Sequence, residues 1–162
     1  MSLLGARNMS SGPGWLVRQH PVVADAEAKA VLSKGGVKVG DAKSLEYNVA
    51  FHVAFARDEV NGPTLIFSPE GGAPIEQTLK DHPEVVVSVP LKNGLSDQSA
   101  RELAYSFGFL DWVAAADQLK KVHGVFEQTK ARYLEVNPWV QTPSHEVYAV
   151  NARLECADRS LL

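Results

Sequence analysis

The sequence predicts an α+β fold, a mainly antiparallel sheet with helices on one face. Three observations predict it. Residues 49–56 carry bulky side chains at every second position, Phe51, Val53 and Phe55, the period of a strand with one heavier face. Two later stretches repeat apolar residues at helical spacing. The links between these segments are short and rich in turn formers, which favours hairpins over long parallel crossovers.

The elements follow in order. Residues 24–32 are alanine-rich and predict a short helix closed by Gly35-Gly36. The strand of residues 49–56 ends at Asn61-Gly62-Pro63, and Thr64-Leu65-Ile66-Phe67 is its apolar hairpin partner. Ser68-Pro69-Glu70-Gly71-Gly72 reads as a loop, with Pro74 at a helix start, where a missing N–H costs nothing. The β-branched run of residues 85–89 predicts a third strand before two helices. Ser96 caps the first helix, which carries Ala100, Leu103, Ala104 and Phe107 on one stripe and stops at Gly108. The second spans about residues 111–129 and buries Val113, Ala116, Leu119, Val122 and Phe126. Residues 132–137 and 146–153 alternate as two closing strands, with residues 138–145 as their connection.

With 45% apolar and 22% charged residues, the composition is that of an ordinary folded domain. The net charge of −3 argues against an electrostatic nucleic-acid binder, and no apolar run approaches a membrane span. Cys156 is the single cysteine, which excludes an internal disulfide and fits a reducing compartment. The first 24 residues contain Arg7 and Arg18, several serines and no acid. That bias fits either a mitochondrial transit peptide or a disordered tail, and Ser10-Ser11-Gly12-Pro13-Gly14 is linker chemistry on both accounts. The first twenty or so residues are expected to add little to the core.

Five scattered histidines and the absence of GxSxG, Walker and GxGxxG patterns leave nucleophile-elbow, P-loop and Rossmann chemistry without support. Gly71-Gly72 before a helix start has two readings. Either it is a tight loop, or its free amides let an anion come close. In a strand, Glu135 and Asn137 share one face, and oxygen donors at a strand end suit magnesium. The alternative is an edge strand with two solvated polar residues, from which Pro138 turns the chain away.

Taken together, Asn61-Gly62-Pro63, Ser68-Pro69-Glu70-Gly71-Gly72, Ile75-Glu76, Ala115-Ala116-Asp117-Gln118, Glu135-Val136-Asn137-Pro138 and Thr142-Pro143 resemble succinate–CoA ligase β subunits, most of all the GTP-forming mitochondrial type. Several spaced motifs in one order are far more specific than any one of them. The resemblance runs from about Asn48 to Arg153 and implies the second half of an ATP-grasp domain. On that basis residues 41–162 form the subdomain, and residues 1–40 are a poorly matched, partly disordered segment. The resemblance further implies Mg2+ with GTP or ATP as cofactor, and a ligase α subunit or a second copy as partner. The implied location is the mitochondrial matrix, with the cytoplasm as the alternative.

By the same resemblance Asn137 is a magnesium ligand, and Ser68, Gly71 and Gly72 form the phosphate or substrate loop. The family's second ligand, the aspartate of a DAK motif, falls at Asn151 in Asn151-Ala152-Arg153. An amide oxygen can coordinate a metal but brings no charge, so weaker binding is expected. Asp117 and Asp158 are carboxylates that could compensate if the fold brought them near. Nothing matches the family's phosphate loop or coenzyme-binding domain. Gly35-Gly36-Val37-Lys38 is too isolated to stand in for that loop, and Asp41 and Glu46 are both open candidates for the acid that grips the nucleoside. The expectation is a component that contributes to Mg-nucleotide binding and does not turn over alone. A non-catalytic interaction module, or a degenerate fragment that keeps only the fold, remains the alternative.

Overall fold

A computed structural model describes residues 13–16 and 21–162. The N-terminal leader-or-tail reading falls mostly on residues 1–12 and 17–20, outside the described residues. The chain supplies β1 (Val22–Val23), α1 (Asp25–Lys34), β2 (Val49–Asp58), β3 (Gly62–Ser68) and α2 (Ile75–Asp81). It continues with β4 (Val87–Pro90), α3 (Asp97–Ser106), α4 (Trp112–Gln128), β5 (Tyr133–Gln141), β6 (Val147–Ala149) and β7 (Ala152–Glu155). The sheet order is β1-β7-β5-β2-β3-β4, with β6 pairing the far end of β5. Among the described residues every strand pairing is antiparallel, and only the isolated bridge between Val39 and Ala149 is parallel.

Alternation along β2 divides the molecule into two layers. Phe51, Val53 and Phe55 enter the larger core, which they share with Leu32, Ala100, Leu119, Val122 and Phe126 from α1, α3 and α4. The three longer helices therefore lie on one face. Ala54 and Ala56 point the other way, into a smaller cluster with Ile66, Tyr133, Ile75 of α2 and Trp15. Trp15 is only 4% exposed, which corrects the expectation that the first twenty residues add little to the core. One large aromatic side chain buries enough surface to count in a small cluster of this kind.

The helix ends follow local chemistry. The Ser96 hydroxyl accepts from the Ser99 amide at 3.1 Å, and the Asp111 carboxylate accepts from the Ala114 amide at 3.1 Å. Gly108 takes φ +91° just past α3, the left-handed turn that a side chain would oppose. Between the sheet and the α3–α4 link, Phe107 stacks on Phe67 with ring centres 3.9 Å apart, and Phe109 meets Phe51 at 4.4 Å.

One expectation about the closing strands is overturned. Pro138 does not turn the chain out of the sheet, because β5 runs on to Gln141 through a cis Asn137–Pro138 bond. Val53 pairs with Val136 and Phe51 with Trp139, so two residues lie between the partners on β5 where β2 has only His52. This bulge shifts the alternation by one residue. Leu134 and Val136 face the larger core before it, and Trp139 faces the same core after it.

His123 on α4 packs its ring against Phe55 at 5.3 Å and is only partly exposed. Burial lowers its pKa; Glu127 opposes that shift, while Arg57 and Lys120 add to it. Because the folded value lies below the unfolded one, the unfolded chain takes up the proton first as pH falls. The stability contribution is complete above the ordinary imidazole value of about 6.5 and is lost as pH drops from there towards the folded value. Urea denaturation at several pH values checks this. The stability difference between wild type and His123→Gln should shrink on acidification, and a constant difference would show that His123 does not titrate with folding.

Candidate functional site

At the bulge midway along β5, neighbouring segments converge on Asn137. Its backbone amide donates to the Asn151 carbonyl at 3.0 Å, and the Val150 amide donates to the Pro138 carbonyl at 3.1 Å. Its side chain reaches the loop after β3, where Oδ1 accepts from the Gly72 amide at 2.7 Å and Nδ2 donates to the Ala73 carbonyl at 2.7 Å. Next to Asn151, the Ala152 amide donates to Asp25 Oδ1 at 2.7 Å, which ties the start of α1 to β7. The structure thus brings Asn137, Asn151 and Gly72 together although 65 to 79 positions separate the loop from the asparagines.

The backbone amides of the loop are occupied. The Glu70 amide donates to Ser68 Oγ at 3.1 Å, the Gly71 amide to the Ala50 carbonyl at 3.0 Å, and the Gly72 amide to Asn137. Free amides were the premise of the anion reading of Gly71-Gly72, and in this conformation these amides are occupied. Gly71 lies directly against β2, where an added Cβ would stand 2.5 Å from the Phe51 carbonyl carbon. Gly72 is exposed, with φ +99° and open space around it.

Beside Asn137, Glu135 lies at the centre of a polar group. Its Oε1 accepts from the Tyr133 hydroxyl at 2.6 Å and lies 3.1 Å from Nε2 of His52, which is fully buried. His52 stands at the bulge, opposite Asn137-Pro138, and its Nδ1 makes no hydrogen bond. Sequence reasoning passed over His52 as one scattered histidine, because only strand pairing brings it to Glu135.

The two expected substitutes for the missing carboxylate have other partners. Asp117 is paired with Lys121 at 3.0 Å on α4, and Asp158 caps the turn at Ser160, beyond the far end of β7 from Asn151. The carboxylate that does lie beside Asn151 is Asp25, which nothing in the sequence links to it. Asp41 spends Oδ1 on the Lys43 amide at 2.9 Å in a local turn, and Gly35-Gly36 closes α1. Among the described residues no group of three His, Cys, Asp or Glu gathers as a metal cage. Asn137 and Asn151 bring amide oxygens and no charge, so among the described residues they make no protein-only site for magnesium, an ion that is ordinarily held through carboxylates and phosphates.

A family model described as the ATP-grasp domain matches residues 37–141. The chain belongs to the ATP-grasp family. Its sequence is 33% identical over 135 residues to the mitochondrial GDP-forming succinate–CoA ligase β subunit of Sus scrofa, an alignment covering 78% of this chain and 31% of the relative. The corresponding subunit of Columba livia is 30% identical, with 96% and 44% covered. The chain thus spans less than half the length of these relatives. Among solved structures, PH1788 from Pyrococcus horikoshii Ot3 superposes with a TM-score of 0.64 at 14% identity, covering 86% of this chain and 93% of that one. The apo form of the Ca. Korarchaeum cryptofilum dinucleotide forming acetyl-coenzyme A synthetase 1 gives 0.62 at 18% identity, covering 83% and 92%. These superpositions establish the fold of this ATP-grasp chain. None of its helices among the described residues is long and apolar enough to cross a membrane.

Proposed function

We propose that this chain contributes one half of a Mg-nucleotide site to an acid–CoA ligase of the succinate–CoA ligase β type. The observation that carries the reading is the Asn137–Asn151 backbone contact at 3.0 Å, which brings the two expected ligand positions together at the β5 bulge beside the 68–73 loop. Asn137 and Asn151 would hold the ion through their amide oxygens, and Ser68, Gly71 and Gly72 would form the wall facing the phosphates. When bound, magnesium would neutralise phosphate charge, GTP and ATP being equally compatible with these residues. The chain's own contribution is positioning. Phosphoryl transfer depends on charges closing around the phosphates from several sides, so turnover needs complementary groups beyond those residues. A ligase α subunit or a second copy is the proposed partner, and the names of the relatives favour the mitochondrial matrix over the cytoplasm.

A second reading, a non-catalytic interaction module, is favoured by the amide at position 151 and by the occupied loop amides. Calorimetry of the purified chain with magnesium and GTP or ATP separates the two. Under the first reading wild type binds weakly, and Asn151→Asp tightens binding by about tenfold at low salt, the scale of one unscreened charge contact of roughly 1.4 kcal/mol. No heat in either protein would leave the interaction module standing.

A further inference from the structure

Asn137 does two things with one carboxamide. Its oxygen holds the Gly72 amide and its NH2 group holds the Ala73 carbonyl, each at 2.7 Å. This pairs the side chain with the loop as a peptide unit pairs across a sheet, through one donor and one acceptor. The other anchors are the Gly71 amide on the Ala50 carbonyl at 3.0 Å and the close seat of Gly71 on β2. Beyond Gly72, α2 begins at Ile75, which is buried at 1% exposure, so the loop is fastened on both sides and spanned by Asn137 between them.

We propose that Asn137 is a positioning residue, a two-point latch for the 70–73 loop that only an amide can form. A carboxylate at this position accepts from Gly72 but cannot donate, and it sets an anionic oxygen against the Ala73 carbonyl. Position 137 therefore requires an amide, and a carboxylate is better placed at position 151 than here. The link to ligand binding rests on the half-site reading above. Polarising the amide oxygen weakens it as an acceptor for Gly72 and strengthens the NH2 group as a donor to Ala73. Occupancy at Asn137 is thereby transmitted to the loop.

NMR on the full chain tests the latch without any ligand. A scalar coupling across the hydrogen bond from Asn137 Nδ2 to the Ala73 carbonyl is expected in wild type. In Asn137→Ala the exchange protection of the Gly72 amide should fall by about five- to tenfold, the scale of one lost hydrogen bond. Unchanged Gly72 protection overturns the latch. Should Asn137→Ala not fold, absence of the wild-type coupling overturns it equally. Nucleotide titration then tests the consequence. Asn137→Asp should bind magnesium nucleotide more weakly than wild type while Asn151→Asp binds more tightly, and equal strengthening by both overturns the requirement for an amide. If no variant binds nucleotide, the half-site reading fails, and the exchange and coupling data still decide the latch.

Discussion

Trp139→Ala is expected to lower the unfolding free energy by about 3–5 kcal/mol, the range for truncating a large buried aromatic. Trp139 is fully buried in the larger core and meets Phe109 edge-on at 5.8 Å. Its neighbours belong to strands and helices already fixed by other contacts, so they cannot collapse into the space. Trp139→Phe should cost much less than the alanine change. The indole Nε1 is buried without a hydrogen bond, so phenylalanine gives up volume and no polar contact. Equilibrium urea denaturation measures both. An alanine variant within 1 kcal/mol of wild type, by the same scale, would place Trp139 outside the core and undo the bulge that aims it there.

Gly71→Ala is expected to cost about 2–4 kcal/mol, from overpacking together with one or two displaced hydrogen bonds. The new methyl would meet the Phe51 carbonyl carbon and oxygen at 2.5 Å and the Ala50 carbonyl carbon at 2.7 Å. These are backbone atoms of the part of β2 that pairs with β5, and they have no rotamer by which to move away. The loop has to lift instead, which breaks the Gly71–Ala50 bond and pulls Gly72 from Asn137. A thermal melt reads the stability loss, and Gly72 amide exchange reads the lifted loop. Normal Gly72 protection in a destabilised variant would separate the loop's seat from the latch.

Much of the fold could be read locally. The period of Phe51, Val53 and Phe55 marks β2, Asn61-Gly62-Pro63 marks its turn, and Ser96 and Gly108 bracket α3, because each signal is complete within a few residues. Asn137 stood out as an oxygen donor at a strand position for the same reason. Trp15 did not, since its partners Ala54, Ile66, Ile75 and Tyr133 are distributed over the chain and its own neighbourhood reads as linker. Pro138 misled because proline is a reliable breaker of a regular strand, whereas at a bulge no ladder bond is asked of it.

The sequence by itself determined the class of fold and the order of its helices and central strands, which depend on periodicity, capping and residue type and are local. Its family resemblance singled out the side-chain oxygens at residues 137 and 151 as expected donors. Only the tertiary structure decided what those donors touch. Antiparallel pairing of β5 with β7 sets Asn137 beside Asn151, and packing of α1 sets Asp25 at the adjoining Ala152. The close seat of Gly71 on β2 turns the 68–73 loop inwards, so that its amides are spent on Ser68, Ala50 and Asn137. Hydrogen-bond partners are fixed by the approach of distant segments, and no local pattern encodes that approach.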